Sequence, residues 1–165
     1  MDGSTIRARI IGKVSSGTAA KQRYGRAYAR LLGLKPGKRG RDDLIDGEGY
    51  VDGRKLYFQC KLSQYELGAE YATEFYAGME LHEADVGIML AGVGYKSQRG
   101  MGFEARLKKF PRIQNQIFKY YLLTLEDLYS QSEKFIEAQI DLPSMCQLVD
   151  LSSLYKLLGE SNQED

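Results

Sequence analysis

Histidine occurs once in this chain and cysteine twice, and no apolar run approaches the ~20 residues of a membrane-spanning helix. The lone His82 leaves a serine or cysteine hydrolase one candidate base, and no nucleophile-elbow motif accompanies it. It stands near the end of a predicted helix, where a surface or capping role outweighs catalysis. Cys60 and Cys146 fit no zinc-ligand spacing, and Cys60 falls on the apolar side of a predicted strand as a buried thiol. A reducing interior is therefore expected. The opening MDGSTIRARI lacks a signal-peptide core, so the expectation is a cytoplasmic protein without membrane attachment. Length points to one domain, 165 residues being enough for a real core.

Net charge is only +1, which taken alone argues against a nucleic-acid partner. Its distribution argues the other way. Residues 1–41 carry 11 Lys/Arg and one acid, or +10, and the remaining residues sum to −9. Within the basic quarter, Ala20, Tyr24, Ala27, Tyr28, Leu31 and Leu32 follow helical spacing, predicting a helix over about 18–32. Arg23, Arg26 and Arg30 share one face of it, and Lys35, Lys38, Arg39 and Arg41 follow in a Pro/Gly loop. Together they form a candidate phosphate-contacting strip, against the plainer alternative of a solvated basic arm. No zinc finger, helix-turn-helix or aromatic RNA-binding signature accompanies it.

That strip leads into GRDDLIDGEGYVDGRKLYFQCK, residues 40–61. Asp42, Asp43, Asp46 and Glu48 cluster there one hairpin ahead of Gln59 and Lys61. From Lys55 to Leu62 the residues alternate, with Leu56, Phe58, Cys60 and Leu62 on one face and Tyr57, Gln59 and Lys61 on the other. Asp52-Gly53 is a hairpin signal that would fold the Asp46 segment back onto this strand. Oxygen ligands with a lysine beside them are the inventory that metal-assisted phosphodiester cleavage needs. A solvated acidic turn is the alternative reading.

The succession G-x-D-x-x-I-D-G, hairpin, Q-x-K resembles the nuclease core of the Mrr-like restriction endonucleases, a branch of the PD-(D/E)XK superfamily. The order of predicted elements extends the resemblance over about residues 18–129, with a helical extension over about 130–160. It implies an α/β fold, a restriction-endonuclease-like mixed central sheet flanked by helices, with an added C-terminal helix. It also implies a centre in which Asp46, Gln59 and the backbone carbonyl of Cys60 hold Mg²⁺, with Mn²⁺ able to substitute. Lys61 would then position or deprotonate the attacking water. Gln59 stands where the wider superfamily has an acid, so a second carboxylate, Asp43 or Glu48, is expected to contribute. The first helix holds no glutamate between Lys21 and Leu32, Gln22 being the nearest polar substitute, and no clear strand separates that helix from Asp46.

Downstream, Leu67, Tyr71, Phe75 and Met79 predict a helix over about 67–83, with Glu66, Glu70 and Glu74 as a parallel acidic row. Val86–Leu90 reads as a buried strand. The loop AGVGYKSQRGMG after it is no Walker A, since Tyr95 stands where Gly must precede Lys-Ser, though Lys96 and Arg99 could touch DNA. Gln116–Leu122 predicts a strand in the sheet interior, and Thr124-Leu-Glu-Asp127 a capping box. Ser144 could cap a last helix with Leu148, Leu151, Leu154, Tyr155 and Leu158 along one side, a candidate dimer contact. The function expected is a Mg²⁺-dependent DNA endonuclease of restriction, homing or resolvase type, acting on duplex or branched DNA as a homodimer or higher oligomer. The alternatives are a non-catalytic DNA-binding domain of the same fold, an interaction protein using its acidic half, and a hydrolase of small phosphorylated molecules.

Overall fold

A computed structural model describes residues 2–38, 44–110 and 112–143. Two helices come first, α1 (Gly3–Val14) and α2 (Thr18–Leu31), then β1 (Lys35–Pro36), β2 (Gly47–Val51) and β3 (Arg54–Lys61). The chain continues through α3 (Ala69–Leu81), β4 (Val86–Ala91), α4 (Phe103–Leu107), β5 (Lys119–Thr124), α5 (Leu125–Ser130) and α6 (Glu133–Gln139). The class is α/β. One open five-stranded sheet, ordered β1-β2-β3-β4-β5, is antiparallel from β1 to β3 and parallel from β3 to β5.

The hairpin forms where the sequence predicts it. Val51 pairs with Arg54 across Asp52 and Gly53, whose φ values of 52° and 76° are those of a tight two-residue turn. Strand β3 is buried on both faces. Its even residues Leu56 and Phe58 enter a core with Tyr28, Leu32, Ile88 and Leu123, while Tyr57 enters a second core with Phe75, Met79 and Phe103. The first core lies under the α1–α2 and α5–α6 pairs, the second under α3 and α4.

Three expectations change. Strand β5 is the edge of the sheet, not its interior, and begins at Lys119; Gln116 bridges back to Ile113, and Ile117 is 82 % exposed. A two-residue β1 occupies the stretch read as loop, with Lys35 opposite Glu48 and Pro36 opposite Gly47. Ahead of the predicted first helix stands α1, N-capped by the Asp2 carboxylate, which accepts from Thr5 N–H at 2.9 Å. The capping box at Thr124 and Asp127 is present in both directions. Within the expected C-terminal extension the described helix is α6; Ser144, Cys146 and the stripe from Leu148 to Leu158 lie outside the described residues.

The extension buries Phe135, Ala138 and Leu142 in the first core and is tied to the sheet by a polar network at Asp141. Asp141, 3 % exposed, accepts hydrogen bonds from Arg54 at the start of β3, from Tyr121 in β5, and from Lys119 Nζ at 2.6 Å. Burial alone would raise its carboxyl, but the bonds from Lys119, Tyr121 and Arg54 outweigh that and hold it at about 2. A carboxyl depressed on folding stabilises above its unfolded value near 3.8 and loses that contribution as pH falls toward the folded value. Asp141→Asn is therefore expected to cost about 2 kcal/mol at neutral pH. It should also flatten the acid dependence between about pH 4 and pH 2, read by urea unfolding at several pH values. Parallel pH profiles for the two proteins would remove this network from the account.

Candidate metal centre beside strand β3

The backbone of β3 sets the geometry. Lys61 O accepts from Gly92 N at the β4 side (3.1 Å), so by alternation the backbone groups of Cys60 face the β2 side. Strand β2 starts only at Gly47, opposite Phe58, and leaves Cys60 without a strand partner there. Asp46 fills the position. Its own N–H donates to Phe58 O at 2.9 Å, its carbonyl accepts from Gly37 N–H at 2.8 Å, and its Oδ2 accepts from Cys60 N–H at 2.7 Å. The carboxylate thus lies at the peptide joining Gln59 to Cys60, on the side to which the Cys60 carbonyl also projects.

Helix α2 closes this point from one face through Gly25. A Cβ there would sit 3.6 Å from Cys60 Cβ and 3.7 Å from the Asp46 carboxyl. Gln22, the expected polar substitute, is exposed. The Cys60 thiol is part of the α2-side core; burial pushes it well above its ordinary value and the Asp46 carboxylate adds to this, so it stays protonated.

On the opposite face Gln59 is 6 % exposed, and its Oε1 is buried without a hydrogen-bond partner. An orphaned buried carbonyl oxygen costs about 1–3 kcal/mol. Half-buried Lys61 holds its Nζ 5.3 Å from the ring centroid of Tyr71, in the first turns of α3. Tyr57, fully buried, stacks on His82 at 5.8 Å and donates its hydroxyl to Leu44 O, fixing the approach to Asp46. His82 is the C-cap residue of α3.

Asp46, the Gln59–Cys60 peptide and Lys61 are thus neighbours along one strand end. Glu48 is directed elsewhere, toward the hairpin, with Oε2 3.9 Å from Lys55 Nζ. Asp42, Asp43, Arg39 and Arg41 lie outside the described residues. Arg23, Arg30 and Lys38 are exposed, whereas Arg26 is half-buried and donates to Gly37 O, bracing the turn before Asp46. Glu66 and Glu70 are exposed. Among the described residues no three His, Cys, Asp or Glu side chains gather closely enough to hold a metal ion. The candidate ligands are instead mixed oxygens: one carboxylate, one amide and one peptide carbonyl. An all-oxygen set suits a hard dication that keeps several waters, and the orphaned Gln59 oxygen is an acceptor awaiting a partner.

Sequence reasoning missed Gly25, Tyr57 and Tyr71. A glycine inside a helical pattern signals close approach, and that cue was available. The other two are recognised only once α3 is laid on the sheet. Comparison of the chain with models of protein families, with curated proteins and with solved structures gave no match.

Two substitutions test the site without any assay of activity. Gly25→Ala meets only ordinary contacts and should stabilise by about 0.5–1 kcal/mol, the helical penalty of glycine, in denaturant unfolding. Gln59→Met, similar in volume and without the orphaned oxygen, should stabilise the metal-free protein by about 1–2 kcal/mol. Loss of stability in Gln59→Met would mean that the amide oxygen has a partner after all.

Proposed function

We propose that the chain is a metal-dependent endodeoxyribonuclease of the PD-(D/E)XK type, in its Mrr-like branch, acting in restriction, homing or resolution of branched DNA. The observation that carries this reading is the 2.7 Å bond from Cys60 N–H to the Asp46 carboxylate. It brings the first acid of the motif to the Q-x-K strand, although the two are separated by a hairpin. The order of the sheet supports it, with Q-x-K on a middle strand flanked by one antiparallel and one parallel neighbour.

Asp46, Gln59 Oε1 and Cys60 O would hold one Mg²⁺ or Mn²⁺. When bound, the ion would draw charge from the scissile phosphate and acidify a nearby water. Lys61, with its stem against Tyr71, places an ammonium beside that phosphate. There it orients the attacking water and offsets the negative charge gathering on the phosphoryl oxygens as the leaving oxygen departs. Arg23, Arg30 and Lys38 are exposed cations on the α2 side and would hold neighbouring phosphates. Arg26, already engaged by Gly37 O, contributes to the position of Asp46 rather than to DNA.

The test is incubation of supercoiled plasmid and of a four-way junction with the protein in Mg²⁺ and in EDTA, beside Asp46→Ala and Lys61→Ala. Cutting should require both Mg²⁺ and Asp46, and the substrate cut separates restriction-like from resolvase-like action. Lys61→Ala is expected to lower the cleavage rate by about 10²-fold or more while DNA affinity stays within about threefold. DNA retained in a gel shift, with neither substrate cut under any condition, would favour a non-catalytic binding domain. Replacing Arg23 and Arg30 together should reduce the slope of log affinity against log salt by about 2.

A further inference from the structure

The glycine-rich segment after β4 belongs neither to the metal centre nor to a phosphate loop, yet it is tightly constructed. Its base is stitched to the stretch following β3, with Leu67 N–H donating to Gly94 O at 2.9 Å and Lys96 N–H to Leu67 O at 2.8 Å. The side chain of Tyr95 turns inward, its hydroxyl 2.9 Å from Met89 O and 2.7 Å from Leu123 O. The far end closes through Phe103 N–H to Lys96 O at 3.0 Å. Glycines permit the close approaches: a Cβ at Gly92 would lie 2.7 Å from Ser63 O, one at Gly102 would collide with Lys96 O, and Gly100 has φ 78°.

What this base presents is polar and unengaged. Lys96, Ser97, Gln98 and Arg99 are all exposed, and among the described residues none of these side chains makes a hydrogen bond or ion pair. Because β3 and β4 run parallel, the loop leaves the same end of the sheet as Lys61. Lys96 to Arg99 are cations and neutral polar groups, Met101 beyond them is 77 % exposed, and Glu104 and Glu137 border the same cavity as this segment. A loop that merely held phosphate would need its lysine and arginine but no glutamine. Arginine matches the O6 and N7 acceptors of guanine, and glutamine the N6 donor and N7 acceptor of adenine, both in the major groove. The hydrogen-bonded base fixes where the loop projects, which lowers part of the ordering cost of such contacts.

We infer that the loop at 96–101 is the base-reading element of this chain, with Arg99 directed to a guanine and Gln98 to an adenine of duplex DNA near the cut. This inference rests on the reading of the chain as a DNA endonuclease, and its test separates the two. The full chain is mixed with a duplex pool carrying a randomised central segment, with Ca²⁺ replacing Mg²⁺, and retained DNA is sequenced. The wild type should enrich a motif containing guanine and adenine. Arg99→Ala should weaken the guanine preference by about 5- to 100-fold, and Gln98→Ala the adenine preference by a similar factor. Affinity for unselected duplex should change by less than about threefold in Gln98→Ala. Arg99→Lys, which keeps the charge and loses the fork, should lose the guanine preference while retaining that affinity.

An unchanged motif in all three variants overturns the inference. So does a wild type that enriches no motif while cutting plasmid in an Asp46-dependent way, which leaves the nuclease reading standing. A motif that depends on the loop in a protein that never cuts upholds the inference for duplex recognition and overturns the nuclease. Absence of DNA retention overturns both.

Discussion

Strand β3 is where the constraints of this molecule meet. It takes an antiparallel neighbour on one side and a parallel neighbour on the other, and its successive side chains enter two different cores. A slip of one residue would exchange every side chain between those cores. Close contacts forbid it: Tyr57 lies against Gly78 of α3, and Gly47, opposite Phe58, lies against Ala29 of α2. Register is therefore set by volume as well as by hydrophobicity. Gln59 and Lys61 inherit their positions from that packing, and Asp46 meets the Cys60 N–H because pairing with β2 ends at Phe58, two residues short of Cys60.

The electrostatics of the centre follow from what is missing as much as from what is present. Asp46 is the one carboxylate among the candidate ligands described, and on the proposed reading affinity for a dication would lean on the substrate phosphate. Meanwhile one of the three α2 arginines, Arg26, is engaged by the backbone at Gly37, so α2 helps to set the position of the carboxylate. Gly25 of the same helix faces that carboxylate across ordinary van der Waals distance.

Features carried by local signals were legible in the sequence. The Asp52-Gly53 turn, the four-residue spacing of Leu67 to Met79, and the capping box at Thr124 each state their geometry within a few residues. The alternation of β3 was legible too, although burial of its second face by α3 was not. The misreadings have nonlocal causes. Strand β5 looks interior because Tyr121 and Leu123 face the α6 side and Tyr120 and Leu122 the α4 side, so both faces are apolar even at an edge. Helix α1 has a spacing cue in Ile6, Ile10 and Val14, obscured by the basic residues between them. Strand β1 is two residues long and includes a proline, and no propensity would reveal it. That Asp46 touches the Cys60 peptide depends on where β2 ends, which tertiary packing decides.

The network at Asp141 imposes an order on assembly. Arg54, Lys119 and Tyr121 lie 87, 22 and 20 residues before it in the chain. During synthesis the hairpin and both parallel strands are made well before the carboxylate that ties them emerges. Until it does, Arg54 and Lys119 lack the carboxylate that bridges them. The last described turn thus acts as a closing step, converting a sheet assembled piecewise into one held from its first hairpin to its final strand.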